Sequence, residues 1–151
     1  IAMNKYNILG TAVVDVFDVF TSYYKENRMY VEGWKTNDAY KVNRKVILPM
    51  YIQFNSWNTY YSTRYSAQYT DIDKAMCFLS GKDYDSITTI ESVIQKTRVG
   101  DSSLQESEFF QIRCYKKGTV HLTFKDEKLW ERFNLEACKG KNWIGSDAKA
   151  A

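Results

Sequence analysis

The amino-acid sequence predicts an α+β fold, in which a small, mostly antiparallel sheet with a C-terminal β-hairpin packs against about four helices. Apolar and polar residues alternate along 110–124, which is typical of two strands that bury one face. Apolar residues at steps of three and four near both ends of the chain are typical of amphipathic helices. A length of 151 residues suits one domain. We expect it to span 1–145, followed by a disordered tail at 146–151 for which a cloning origin is one interpretation.

The first helix is predicted at residues 7–25. Its apolar side chains recur at helical spacing, while Asp15 and Asp18 lie on the opposite side. Asn27 is expected to end it, because asparagine competes with the helical backbone for hydrogen bonds.

A less regular region follows. The stretch 28–45 is predicted to be a loop with one short strand near Tyr30–Trp34. The apolar run 46–52 predicts a short strand that ends near Pro49, because proline cannot donate to a strand ladder. Residues 53–69 have no clear period.

Two further helices are predicted from their capping residues. Thr70 is expected to cap a helix that ends at Gly81, with Asp73 near the capping-box position. Thr88 and Glu91 form a regular capping box for a third helix, which is expected to have ended by Gly100.

The hairpin is the segment that the sequence restricts most. A two-residue turn would put the apolar sets of its strands on opposite faces. A type I turn at Lys116 and Lys117, with Gly118 in the left-handed conformation, puts both sets on one face. The register that follows pairs 115 with 119, 114 with 120, 112 with 122 and 110 with 124. Arg113 and His121 then lie opposite each other on the other face.

The last helix is predicted to begin after Asp126, which caps it, and to end at Gly140. The three cysteines are widely spaced, and we interpret them as buried thiols in a reducing, cytoplasmic compartment. No apolar run approaches the roughly 18 residues that a membrane span needs, and no signal peptide is evident. The chain is therefore expected to be cytoplasmic and without a membrane partner.

Basic residues around the hairpin form the first candidate contact surface. Such a tip can enter a groove or follow a phosphate backbone, although most turns of this kind are only solvated. The candidates are Arg113, Tyr115, Lys116, Lys117, His121 and Lys125. A net charge of +3 permits contact with nucleic acid without indicating it. Residues 35–45 contain a second, looser basic run.

Aromatic residues between 51 and 69 form the second candidate surface. Rings beside a cation hold single-stranded nucleic acid, and the same composition suits a protein-recognition surface or simply a core. The candidates are Trp57, Tyr61, Arg64 and Tyr65.

No complete catalytic, cofactor or metal motif is present. Glycine-rich nucleotide loops, a nucleophile elbow and CxxC pairs are missing from the sequence. His121 is the single histidine, either a general base or phosphate contact or an ordinary surface residue. The acidic pairs 15/18, 71/73 and 83/85 are interpreted as solvated or capping groups, with 71 and 73 in a helical first turn. No catalytic residue, metal ligand or cofactor is assigned, and an enzyme with an unrecognised site is left as an alternative.

The hairpin carries a family resemblance. Phe109–Phe124, followed by Leu129 and Asn134, resembles the C-terminal part of the bacterial domain of unknown function 4942. The earlier stretches that resemble it, in the same order, are Trp34–Asn37, Arg44–Leu48 and Asp71–Gly81. The resemblance implies a protein of prophages, plasmids or other mobile elements. Some longer members are methyltransferase-like, but this chain lacks the cofactor-binding glycine motif.

These observations lead to three expectations about function. The first is a non-enzymatic accessory domain of a mobile element that binds nucleic acid, DNA in preference to RNA. The second is a protein-interaction module that modulates a host defence or DNA-modification enzyme, so that the partner is a host or phage protein. The third is an enzyme with an unfamiliar site.

Overall fold

A computed structural model describes residues 2–30 and 39–143, with side chains described for 11–30 and 39–143. Four α-helices lie in the described part of the chain: α1 (Ala2–Ser22), α2 (Ser66–Ser80), α3 (Ile90–Gln95) and α4 (Glu127–Gly140). The predicted α+β class is confirmed. The predicted tail at 146–151 and most of the predicted strand near Tyr30–Trp34 lie outside the described residues.

The largest sheet has four antiparallel strands in the order β3-β8-β7-β6. Their bounds are β3 (Lys45–Leu48), β6 (Gln105–Glu106), β7 (Phe110–Cys114) and β8 (Val120–Phe124). Two antiparallel pairs flank it, β1 (Arg28–Tyr30) with β2 (Tyr40–Val42), and β4 (Ile52–Gln53) with β5 (Ser62–Thr63). The strands β2, β4, β5 and β6 were not predicted, because strands of two or three residues leave no measurable alternation.

The hairpin register is confirmed at every predicted pair. Cys114 lies opposite Val120, and Arg113 lies opposite His121. The Tyr115 amide donates to the Thr119 carbonyl at 3.0 Å. Gly118 has φ +98°, a conformation that other residues adopt only with strain. The apolar side chains of both strands therefore share the buried face of the sheet.

The helices pack on that buried face through aromatic rings. Phe20 of α1 lies 6.3 Å from Phe110 and 6.1 Å from Phe124, measured between ring centroids. Its ring also lies 5.8 Å from that of Phe133 in α4. One apolar cluster joins residues of all four helices to the sheet. None of the described helices is long and apolar enough to cross a membrane.

Two buried asparagines bind strand backbone in place of a neighbouring strand. The Asn27 side chain donates to the Ile47 carbonyl at 2.8 Å and accepts from the Ile47 amide at 2.9 Å. Asn134 of α4 accepts from the Val42 amide at 2.8 Å. Asn27 was predicted to end α1, but α1 ends at Ser22. The asparagine lies in a short 3-10 helix. Its side chain pairs with backbone groups on the free edge of β3, which would otherwise lack hydrogen-bond partners.

The predicted start of α2 is wrong by about one helical turn, and the predicted cap of α3 is wrong by one residue. α2 begins at Ser66 rather than at Thr70, because buried Tyr69 extends the apolar stripe back by one turn. The Thr70 hydroxyl donates within the helix, to the Ser66 carbonyl. The cap of α3 is Thr89, not Thr88, and Glu91 accepts from the Thr63 hydroxyl at 2.5 Å instead of closing a capping box.

The helix ends were predicted more closely. α2 stops at Gly81, whose φ is +76° and whose amide donates to the Cys77 carbonyl. α3 ends at Gln95, earlier than the predicted limit at Gly100. Asp126 caps α4 as predicted, accepting from the Lys128 amide at 2.9 Å. α4 ends at Gly140, where a Cβ atom would collide with Val14 of α1.

Candidate functional site

Side chains that point away from the helices form the outer face of the four-stranded sheet. Alternation along β7 and β8 places Gln111, Arg113, His121 and Thr123 on this face, because their neighbours in sequence are the buried apolar residues. Lys45 joins them from β3, where it lies opposite Thr123. Lys45 and Arg113 are exposed, and the other three side chains are half-buried.

The outer face is concave. It contains a cavity of about 100 Å³. The described residues that line the cavity are Lys45, Leu104, Gln111, Arg113, Tyr115, His121 and Thr123. Small-molecule and cofactor pockets usually measure roughly 300–1,000 Å³. The cavity therefore suits a group of the size of a phosphate rather than a nucleotide cofactor.

His121 is one of the cavity-lining residues. Its ring centroid is 4.7 Å from that of Tyr115, and the two ring planes are tilted by 53°. Burial lowers the pKa of His121, and the positive charges of Lys45, Lys117 and Arg113 lower it further. His121 is therefore neutral at pH 7, and the cavity beside it has a positive potential that favours an anion.

Arg113 is held in place by the backbone. Its guanidinium donates to the Ser102 carbonyl at 3.1 Å. A guanidinium has five N–H donors, so this anchor leaves others for a ligand. None of the described residues that line the cavity is a carboxylic acid, a serine or a cysteine. The polar groups around His121 are therefore the hydroxyls of Tyr115 and Thr123, the Gln111 amide and the cations of Lys45 and Arg113.

The hairpin tip does not stand free of the domain. The Gly118 carbonyl accepts from the amides of Tyr51 and Ile52, at 3.0 and 3.3 Å. Lys116 is exposed, but its side chain lies over Gly100. Lys117 is exposed and close enough to act on His121 electrostatically. Lys116 and Lys117 are thus exposed, while the backbone of the tip is packed against β4 through Gly118.

Lys125 lies apart from the cavity. Its ammonium donates to the Ser107 carbonyl at 3.1 Å and lies 3.7 Å from the Glu106 carboxylate. The charge of Lys125 is therefore partly balanced by Glu106, and this lysine does not line the cavity.

The predicted aromatic surface is divided by burial. Tyr61 is 2% exposed, and its hydroxyl accepts from the Gly100 amide, so this ring belongs to the core and is not available to a partner. Trp57 is 83% exposed and Tyr65 46%. The Arg64 guanidinium lies over the Tyr65 ring, 5.5 Å from its centroid. None of these four residues lines the cavity on the outer face.

Asp15 and Asp71, from two different acidic pairs, line a small cavity of about 30 Å³ between α1 and α2. Asp18 pairs with the Lys141 ammonium at 2.5 Å, and Asp83 accepts from the Asp85 amide. Asp73, unlike the solvated acidic residues, is buried. It is 1% exposed and lies in the second turn of α2, not in the first as predicted. Within the described residues, no group of three or more His, Cys, Asp or Glu side chains is arranged to hold a metal ion.

Asp73 caps a neighbouring helix. Its Oδ2 atom accepts from the Ile90 amide at 2.8 Å, at the start of α3, whereas its Oδ1 atom has no hydrogen-bond partner. Burial raises the pKa of Asp73 to about 7, against a smaller opposing effect of the Ile90 hydrogen bond. All three cysteines are buried free thiols, as predicted.

Three residues that line the cavity were not among the predicted contact residues: Gln111, Thr123 and Leu104. Lys45 had been placed only in a loose basic run. The alternation of β7 and β8 was sufficient to find Gln111 and Thr123, since both precede a buried residue. Lys45 and Leu104 reach the site through strand pairing and loop packing, for which the sequence carries no local signal.

Fold and site together define a class: an α+β domain whose antiparallel sheet is packed with helices on one face and presents a cationic, aromatic cavity on the other. The chain belongs to the family described as a domain of unknown function (DUF4942), whose model matches residues 1–143. No curated protein and no solved structure matches it.

Proposed function

We propose that this chain is a non-enzymatic accessory domain of a mobile genetic element that binds nucleic acid, DNA in preference to RNA, through the outer face of its sheet. The observation that carries the proposal is the cavity in which Lys45 and Arg113 flank His121. Basic side chains and neutral donors on one concave surface are the groups that contact a phosphate backbone. The mobile-element setting and a cytoplasmic location, which the family resemblance and the free thiols favour, are part of the proposal.

The charge arrangement supports this function over a generic basic surface. The positive charges of Lys45, Lys117 and Arg113 all lower the pKa of the same imidazole, that of His121, in addition to the effect of burial. Lys125, by contrast, is compensated by Glu106. A small net charge of +3 is therefore compatible with a local anion site.

The test is the salt dependence of binding to labelled DNA. The expected result is binding at low salt that weakens linearly in log–log coordinates as salt rises. The Lys45→Gln, Arg113→Gln double variant should weaken binding and lower the slope by about 1.4 to 1.8, because each lost phosphate contact contributes about 0.7 to 0.9.

The matched control changes the same residue types on α4. Lys128→Gln with Arg132→Gln removes the same charge from exposed positions on the helical side of the sheet. If both double variants weaken binding equally, the outer face is not the site. Absence of binding at low salt contradicts the proposed function altogether.

A second candidate function is a protein-interaction module that acts on a host defence or DNA-modification enzyme. The observation that favours it is Trp57, 83% exposed in a tight turn where the Asn58 amide donates to the Asn55 carbonyl. Exposed tryptophan is among the residues that dominate protein interfaces. In this case Trp57→Ala should abolish co-purification of a defined partner, whereas Phe78→Ala, at an exposed ring on α2, should not.

A further inference from the structure

We propose that the outer face holds a single strand of nucleic acid rather than a duplex, with a backbone phosphate between Lys45 and Arg113 and a base against the Tyr115 ring. The inference rests on the proposed function and names the form of nucleic acid that the same site takes.

The hairpin tip argues against a duplex. A β-ribbon that reads duplex DNA enters the major groove, which is roughly 12 Å wide, and must therefore stand free of its own domain. Here the Gly118 carbonyl accepts from Tyr51 and Ile52, and Lys116 folds over Gly100. The ribbon presents its outer face instead of its tip.

The positions of the cations suit one phosphate above His121. Arg113 is the direct cross-strand partner of His121. Lys45 is its diagonal neighbour across β3 and β8, because Ile47 lies opposite His121. Diagonal neighbours in a sheet are roughly 7–8 Å apart, within reach of long side chains. A phosphate over the imidazole can therefore be contacted from both sides.

The Tyr115 ring is the feature that favours a single strand of nucleic acid over an isolated phosphate as the ligand. Tyr115 lines the cavity and its ring is half-buried beside the His121 ring. The cavity of about 100 Å³ is too small for a nucleoside. A base can therefore lie only on the rim, against the Tyr115 ring. Bases in a duplex are stacked on one another and cannot reach such a ring, whereas those of a single strand can.

The experiment compares three fluorescent probes at equal salt: single-stranded oligo-dT, single-stranded oligo-rU and a mixed-sequence DNA duplex, each of roughly 12 units, within the range that such binding faces cover. Fluorescence anisotropy should show both single strands binding the whole chain at least about tenfold more tightly than the duplex. The dT and rU arms separate DNA from RNA as the source of the strand.

Tyr115→Ala should weaken oligo-dT binding roughly 5- to 140-fold, because one base–ring stack is lost. Tyr115→Phe retains the ring and should bind within about twofold of the original chain. Residue 115 makes its hydrogen bonds in the turn through its backbone amide and carbonyl, so both variants should fold. Their urea midpoints provide the check.

Several results would overturn the inference. If the duplex binds as tightly as the single strands and is still lost on Arg113→Gln, the proposed function stands and the preference for a single strand is wrong. If folded Tyr115→Ala binds oligo-dT unchanged, the ring does not contact a base. If no probe binds at low salt, the proposed function itself fails.

Discussion

Asp73 makes the stability of the domain depend on pH. The carboxyl group is 1% exposed, with one oxygen bonded to the Ile90 amide and the other without a partner. An unpartnered buried oxygen cannot support a negative charge well. Burial accordingly raises the pKa of Asp73 to about 7, from 3.8.

The size of the effect follows from the two pKa values. A difference of about 3 pH units between the folded and the unfolded chain corresponds to about 4 kcal/mol. Because the folded pKa is the higher one, the folded chain binds more protons between pH 3.8 and about 7. The free energy of unfolding therefore falls as pH rises across that window, and the contribution of Asp73 is constant outside it.

Urea unfolding at pH 5 and pH 8 measures this contribution. Between these values the original chain should lose about 3 kcal/mol more than Asp73→Asn, since about two pH units of the window lie above pH 5. The asparagine cannot ionise, and its Oδ1 atom can still accept from the Ile90 amide.

The control is Asp71→Asn, an exposed carboxylate on the same helix, which should keep the pH dependence of the original chain. An identical loss of stability in the original chain and in Asp73→Asn would refute the reasoning. It would mean that Asp73 is solvated in the folded protein.

Three further predictions concern the turn, a buried asparagine and the histidine. Gly118→Ala should cost roughly 1–2 kcal/mol by chemical unfolding because of its φ of +98°, and unchanged stability would contradict the turn type. Asn134→Ala should cost roughly 1–3 kcal/mol, since the buried Val42 amide loses its acceptor; a loss below about 1 kcal/mol would show that water replaces the side chain. Oligo-dT affinity should rise as pH falls from 7.5 to 5.5, because a bound phosphate favours the charged imidazole of His121, whose pKa is lowered by burial and then by the positive charges of Lys45, Lys117 and Arg113. His121→Gln should remove that dependence, and a variant that keeps it would exclude the imidazole as its source.

The hairpin and the helix caps differ in how well they could be predicted. The register of β7 and β8 was correct because only one pairing puts every apolar residue on one face, and Gly118 identifies the turn that produces it. The predictions that Thr70 and Thr88 cap helices were wrong, because threonine is common at helix starts and its presence alone does not identify the capping residue. The true start of α2 depends on whether Tyr69 is buried, which is a property of the whole fold.

The residues of the candidate site also differ in how well they could be predicted from the sequence. Arg113 and His121 were predicted to face each other, and they do. Tyr61 was proposed as a contact residue, yet it is part of the core, because aromatic composition does not distinguish a surface ring from a packed one. Lys45 reached the site only because β3 pairs with β8.

The sequence alone was sufficient for the α+β class, the hairpin register and the paired outer positions of Arg113 and His121. These follow from side-chain periodicity and from the φ of one glycine, which are local properties. The tertiary structure decided that Lys45 joins His121, that the hairpin tip packs against β4 and that Asp73 is buried. Those features depend on contacts between residues far apart in the chain, and no local pattern of residues encodes them.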